Sequence, residues 1–463
     1  MAVPSMRAGG AQDNGLPVAP VSSLCLNGKN NGAWGMTAES ANETSAVRAI
    51  TWRILPLLFA GYFTAYIDRV NVGFAALTMN QDLGLSAEQY GLAAGLFFVG
   101  YVAFSIPSNL ILAKLGGRTW LPIIMACWGS ASLLNAFVVD AHTFYGLRFI
   151  LGLGEAGLYP GLLYIMAQWF PGKYRVRMLT LLILSTPFSI VVGSLISQPI
   201  LLLDGAMGMK GWQWLFILQA LPTIALALVF WLTLPDSPAE ARWLKPADKK
   251  WLTETLAGEL AQRESVQKFS VRGALTSPII WACAVAGLGI NAAAYGLILF
   301  LPQMINALGV SKVMTPLVNA IPFAVASVVM VAWGFHSDRK MERNWHAAIP
   351  AFIAAIALIS CAILTNPIAI MVALTLGVTG VFCYVSVFWA VPSAMLTGSA
   401  AAAGLALINA VANIGSFAGP YYVGWVRDVT GHYALGIMAL GLGPLLASVV
   451  AASLRSARKF EQA

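Results

Sequence analysis

Residues Phe63–Asn71 read FTAYIDRVN and set Asp68 and Arg69 side by side after a mostly apolar run from Ile54 to Tyr66. A charge at the centre of a bilayer costs about 2.5–3.5 kcal/mol on insertion scales, so charged residues in such a run usually serve function. The plainer account lets the pair sit at a helix end and snorkel to the lipid headgroups. The partners that the rest of the chain supplies decide between these readings.

Composition narrows the class first. The 463 residues are 59% hydrophobic and 10% charged, with a mean hydropathy of +0.75. Soluble domains carry about 25% charged residues, so a soluble globular protein is excluded. Apolar runs recur at roughly the 20 residues that cross a bilayer. Twelve such spans fall near 50–72, 87–112, 119–139, 143–168, 178–203, 212–234, 276–302, 313–334, 345–365, 368–391, 399–424 and 433–454. One long polar segment, Pro235–Gly273, interrupts them after the sixth and contains PDSP, KPADKK and an amphipathic run, Trp251–Arg263. The expected architecture is an all-α polytopic membrane protein with twelve transmembrane helices in two six-helix halves. A disordered tail covers 1–49, the first bundle 50–234, a middle loop 235–275, the second bundle 276–454 and a short tail 455–463. Residues 1–45 show no signal-peptide core, and the sequon Asn42-Glu43-Thr44 reads as chance.

Orientation follows from the basic residues. With the N-terminus inside, 22 of the 27 Lys and Arg fall on inside segments, and only Lys210, Lys312 and Arg427 fall outside. That bias places both termini and the middle loop in the cytoplasm. The net charge of +8 is thus an orientation signal and implies no nucleic-acid partner. The five cysteines, Cys25, Cys127, Cys283, Cys361 and Cys383, have no CxxC spacing and read as small core hydrophobes. No metal or cofactor motif is present, and a lipid bilayer is the one partner that composition demands.

The ionisable residues inside the spans are few. Of nineteen Asp and Glu, only Asp68 and Glu155 lie there away from the span ends, and the only such Lys or Arg are Arg69 and Arg148. Arg148 and Glu155 are seven apart and share a face of the fourth helix. Two groups of each sign suit a carrier that moves an anion with protons. A guanidinium offers a carboxylate a permanently charged planar fork. A buried carboxyl can be neutralised by a proton, because burial favours its neutral form and a nearby Arg its ionised form. The alternative is two ion pairs that merely cancel charge, and buried pairs are poor stabilisers. Neutral groups share these faces. Tyr66 precedes Arg69 by three residues, and Tyr101 lies midway along the second span. Asn291 with Tyr295, Ser386 with Trp389, and Asn409 with Asn413 are paired by helical spacing. For the Asn and Ser residues, helix–helix hydrogen bonding is the plain alternative; for the aromatics it is packing.

Gly152-Leu-Gly-Glu-Ala-Gly157 matches a dinucleotide fingerprint, but it lies inside an apolar helix with no strand before it. Its glycines are expected to let helices approach closely. Pro160, Pro187, Pro302, Pro392 and Pro420 are expected to bend or break their helices.

Two basic turns, Lys114-Leu-Gly-Gly-Arg118 and Gly334-Phe-His-Ser-Asp338-Arg339-Lys-Met-Glu-Arg343, join corresponding hairpins about one half-chain apart and suggest parallel six-helix repeats. With YIDRVNVGFA (66–75), IPSNLILAKLGGR (106–118), LRFILGLGEAGLYPG (147–161) and the run 388–431, the chain resembles the major facilitator superfamily from residue 50 to about 455. Within it the chain is similar to the anion:cation symporter family of organic-acid permeases. The first-half turn departs from the superfamily pattern by lacking its acidic residue, with Asn109 and Lys114 flanking the place.

The resemblance implies roles. Arg69 would clamp a substrate carboxylate, and Tyr66, Tyr101, Ser386, Trp389 and Asn409 match substrate-contacting positions. Asp68 and Glu155 would take protons, with Arg148 orienting Glu155. Arg118, Asp338, Arg339 and Arg343 belong to the gating loops. The implied protein is a monomeric proton symporter of the bacterial inner membrane that imports an organic-acid anion, tartrate-like or another sugar acid. Phthalate-like or 4-hydroxyphenylacetate-like acids are the alternative. A proton-antiporting exporter would want an acidic cavity without two buried arginines. An enzyme would want a nucleophile, metal or phosphate motif, and none is present.

Overall fold

The computed structural model describes residues 38–264, 275–340, 342–389, 392 and 398–453. Among them every long element is an α-helix, as the bilayer demands of a chain that must satisfy its backbone groups internally. In chain order they are α1 (Ala38–Arg53), α2 (Leu55–Asp82), α3 (Ala87–Leu115), α4 (Gly117–Leu134), α5 (Ala141–Glu155), α6 (Leu158–Trp169), α7 (Gly172–Leu201) and α8 (Gly211–Thr233). Then follow α9 (Pro246–Glu264), α10 (Pro278–Ala307), α11 (Thr315–Lys340), α12 (Asn344–Ser360), α13 (Pro367–Phe388), α14 (Gly398–Thr430) and α15 (Ala434–Ser453). Among the described residues ten helical segments are long and apolar enough to cross a membrane, α12 is a shorter apolar helix, and α14 runs 33 residues at the position of the eleventh expected span.

The first span differs from expectation at both ends. Residues 38–53 were assigned to the tail and the start of the span, yet they form α1, which lies against α9 through Ser45 Oγ and Asp248 Oδ2 at 2.7 Å. Residues 1–37 and 454–463 lie outside the described residues. Pro56 lacks the N–H that would join α1 to α2 without a break. α2 then continues to Asp82, thirteen residues past Arg69, and turns at Gly84 (φ 64°) into the Ser86–Gln89 capping box of α3. The Asp68–Arg69 pair therefore sits mid-helix. Asp68 is 0% and Arg69 8% exposed, and the snorkelling account fails.

The fourth span, expected as one helix, is two. α5 ends at Glu155, and α6 begins at Leu158. Pro160 cannot donate to the Ala156 carbonyl one turn back, and Gly157 lies hard against Ser108 Oγ of α3, where no side chain fits. The other glycines of the fingerprint likewise mark close approach: Gly152 abuts the Phe97 carbonyl, and Gly154 meets Trp128.

Within the first half α2 packs on α7 and α8, α3 on α5, and α4 on α8; α12 packs on α13 and α15, and α11 on α13, in the second. Three seams join the halves: α2 with α10, α3 with α14, and α7 with α11. The hydrogen bonds that cross between halves among the described residues lie at mid-membrane or toward one face. They include Tyr90 Oη to Leu299 O (2.9 Å), Asn319 Nδ2 to Ser194 Oγ (3.1 Å) and Tyr421 Oη to Glu88 Oε1 (2.9 Å). That closed face is opposite the one carrying Lys114, Arg118, Lys173, Arg175 and Arg339, here called the basic face.

Asp428 of α14 fastens the closed face. Its carboxylate accepts the first N–H groups of α3, from Ala87 at 3.1 Å and Glu88 at 2.7 Å, where the helix dipole favours an anion. Asp428→Ala is expected to raise amide exchange of the Ala87–Tyr90 peptide on the order of tenfold by loss of this charged acceptor. Unchanged exchange by mass spectrometry would remove the latch role.

Candidate functional site

Arg69 stands on the side of α2 that meets the second half. Its Nε and Nη2 both reach Glu155 Oε1, at 2.6 and 2.5 Å, and Nη1 donates to Tyr295 Oη of α10 at 3.1 Å. The rings of Tyr66, Phe97 and Tyr101 surround the guanidinium carbon at 4.8, 5.2 and 5.3 Å, an arrangement that holds a cation by its ring faces. Phe98 of α3 packs on Tyr295 with centroids 4.5 Å apart. One guanidinium thus ties α2, α3 and α5 of the first half to α10 of the second. Glu155 is 0% exposed on its side chain, and its Oε2 has no hydrogen-bond partner among the described residues.

The partner of Glu155 differs from expectation. Arg148 was expected to orient it from the same helix, but seven residues correspond to about 10 Å of helical rise, and Arg69 on the neighbouring helix is the one that reaches. Arg148 is 1% exposed, with its guanidinium carbon 5.4 Å from the Phe97 ring centroid. Its Nε and Nη1 have no hydrogen-bond partner among the described residues.

Asp68, adjacent to Arg69 in sequence, does not share its surroundings. One residue along a helix turns about 100°, so while Arg69 faces the second half, Asp68 points into the first. It accepts Ser132 Oγ at 3.0 Å and Trp128 Nε1 at 3.1 Å from α4, and Thr223 Oγ1 at 3.2 Å from α8. Trp128 and Ser132 were legible as an i, i+4 pair, but nothing in the sequence paired them with Asp68.

Of the neutral candidates, Tyr66 and Tyr101 join Arg69, together with Tyr295. The others do not converge there. Asn291 Nδ2 donates to Ser416 Oγ of α14 at 3.2 Å. Asn413 Nδ2 donates to the Asn409 carbonyl at 2.8 Å, and Asn409 itself is exposed. Ser386 turns back on the Cys383 carbonyl at 2.8 Å, and Trp389 stands at the end of α13 with its ring 5.5 Å from Phe388. Phe97, which touches both arginines, was missed because an apolar residue in an apolar helix carries no signal.

The gating-loop residues are tied within their own halves. Arg343 Nη1 reaches Asp338 Oδ1 at 2.5 Å and Ser337 Oγ at 3.3 Å, and Arg339 is exposed. The backbone N–H of Arg118 donates to Asp236 Oδ1 at 2.9 Å. Asp236, just beyond α8, supplies the carboxylate that the first-half turn lacks in its own sequence.

The model of the Major Facilitator Superfamily matches residues 58–420. The chain belongs to the major facilitator superfamily. Among relatives of this superfamily, a protein of Agrobacterium vitis named "Putative tartrate transporter" is 41% identical over 408 residues, 88% of this chain and 90% of that one. The quinolone resistance transporter of Acinetobacter baumannii is 35% identical over 417 residues, 89% of this chain and 96% of that one. The inward-open xylose transporter XylE of E. coli matches with TM-score 0.73 at 13% identity, over 88% of this chain and 96% of that one. As a superfamily member the protein is a multi-pass membrane transporter of solutes and not an enzyme.

Proposed function

We propose that this transporter is a proton-coupled symporter of an organic-acid anion, with Arg69 as the carboxylate clamp. The observation that carries the reading is the Arg69 guanidinium, shared between Glu155 of the first half and Tyr295 of the second. While Glu155 is ionised it occupies the fork that an incoming carboxylate needs. A proton on Glu155 weakens that pair and frees Arg69, so anion and proton enter together. Anion bound at Arg69 also touches Tyr295, which couples loading to the approach of the two halves. Asp68 is the second proton site in this scheme, inside the first half. The Arg148 guanidinium, whose Nε and Nη1 have no hydrogen-bond partner among the described residues, keeps positive potential beside Phe97 and favours the anion's approach. The excess of basic residues on one side supports a cytoplasmic position for both termini and the middle segment in a bacterial inner membrane, and in this reading the closed face is external.

The relatives named for tartrate favour a hydroxylated dicarboxylate. A second reading, an aromatic acid, is favoured by the Tyr66, Phe97 and Tyr101 cage around the guanidinium, which would stack a ring as readily as it holds the cation.

Uptake into proteoliposomes of tartrate, galactonate, phthalate and 4-hydroxyphenylacetate, driven by an inside-alkaline pH gradient, tests both. Accumulation of one acid, lost when the gradient is collapsed, is the expected result and names the class. Mere equilibration, or uptake of none, would reject symport and direct attention to export.

A further inference from the structure

The first half buries a second group of polar side chains behind α2. It includes Asp68, hydrogen-bonded to Ser132 and Trp128 of α4 and Thr223 of α8. One helical turn further along each of these helices stands a carboxamide. Asn71 follows Asp68 by three residues in α2, Asn135 follows Ser132 by three at the end of α4, and Gln219 precedes Thr223 by four in α8. α2 and α4 run toward the closed face and α8 runs away from it, so all three steps lead the same way. Helix direction thus sets all three carboxamides about one turn from the carboxylate's level, toward the closed face.

These amides are buried: Asn71 and Asn135 are 0% and Gln219 3% exposed. Their hydrogen bonds are only partly met. Asn135 Nδ2 donates to Ala131 O at 2.7 Å, and Gln219 Nε2 donates to Ser197 Oγ of α7 at 3.1 Å. Both side-chain atoms of Asn71, Oδ1 of Asn135 and Oε1 of Gln219 have no partner among the described residues. Buried polar groups of native proteins are matched, and where protein atoms do not match them small polar molecules do. Three acceptor oxygens and one donor beside a carboxylate are a lining for water or its protonated form. The charges acting on Asp68 from the packed helices are Glu155 and Arg148 of α5, with Arg69 next to it in α2. From α4 and α8 come only the hydroxyls of Ser132 and Thr223 and the Trp128 indole, and α7 offers Gly193 against Ile67 and Val70.

We propose that the Asn71, Asn135 and Gln219 carboxamides bind ordered water that delivers the proton to Asp68 and withdraws it, by a route inside the first half that the substrate does not use. The proposal rests on the reading of Asp68 as a proton-carrying site. It assigns the two carboxylates different access: Glu155 meets its proton where the anion binds, and Asp68 meets its own behind α2.

The test is deuterium exchange of the Asp68 carboxyl in the purified, lipid-reconstituted full chain, followed by infrared difference spectroscopy of its protonated C=O band. Loss of the band in Asp68→Asn assigns it. Asn71→Leu and Gln219→Leu are expected to slow the exchange by about tenfold, the effect of one lost hydrogen-bonded step. Asn71→Ser, which keeps a hydroxyl and leaves room for water, restores the rate. Exchange as fast in the Leu variants as in the parent overturns the relay and leaves Asp68 as a proton site. A slowing that Asn71→Ser shares fully also overturns it, because a packing defect would account for that. If Asp68→Asn removes no protonated band, Asp68 carries no proton, and the relay falls together with the reading beneath it.

Discussion

Arg69→Lys is expected to lower uptake of the proposed acid substrate on the order of a hundredfold while the protein still folds. The guanidinium makes two contacts to Glu155 Oε1, at 2.6 and 2.5 Å, and one to Tyr295 at 3.1 Å. An ammonium is a point donor on a flexible stem and cannot address a carboxylate in bidentate fashion while also holding a partner on another helix. Losing two charge-assisted hydrogen bonds, each worth roughly 1.5–3 kcal/mol, gives a hundredfold effect or more. The positive charge remains, so Glu155 keeps a counter-ion and no buried charge is orphaned, which is the change that costs about 3–5 kcal/mol. Thermal unfolding close to the parent, with uptake nearly abolished, is the expected pair of results. Near-normal uptake would remove Arg69 from the clamp position.

Glu155→Gln has the opposite logic, because it imitates the protonated state permanently. The amide can still accept from Arg69, so the helices stay together, but the guanidinium is no longer held by a full charge. Exchange of labelled for unlabelled acid is expected to continue across a wider range of pH than in the parent. Accumulation against a gradient is expected to vanish, leaving an inside-to-outside ratio of about 1, since a site that cannot release a proton cannot draw on the pH difference. Counterflow and gradient-driven uptake measured on the same vesicles separate these. Concentrative, pH-driven uptake by the variant would exclude Glu155 as a coupling site.

The fold was readable because the bilayer imposes it. Apolar runs of the right length must be helices, and a single polar interruption at 235–273 divides them. Two features escaped. α1 lacks an apolar stripe and is held by α9 through contacts such as Ser45 with Asp248, which join residues 203 apart. The fourth span's break falls at Ala156–Gly157, upstream of the Pro160 that was noted, because a missing N–H is felt one turn back. At the site, the four buried charges could be named because charge is conspicuous in such a chain. Their pairing could not. Spacing along one helix favoured Arg148 for Glu155, whereas the relative rotation of α2 and α5 gives Glu155 to Arg69 and turns Asp68 away. Contacts between helices distant in sequence, such as Thr223 with Asp68, depend on how the bundle closes and leave no local mark.

The one-sided seam also bears on turnover. Parting the closed face means giving up the Asp428 cap on α3 and the Tyr90, Asn319 and Tyr421 bonds together, whereas no hydrogen bond between halves among the described residues holds the basic face shut. Among the described residues the two halves are therefore fastened on one face only. Under the import direction proposed above, the empty carrier would have to give up these bonds at every return.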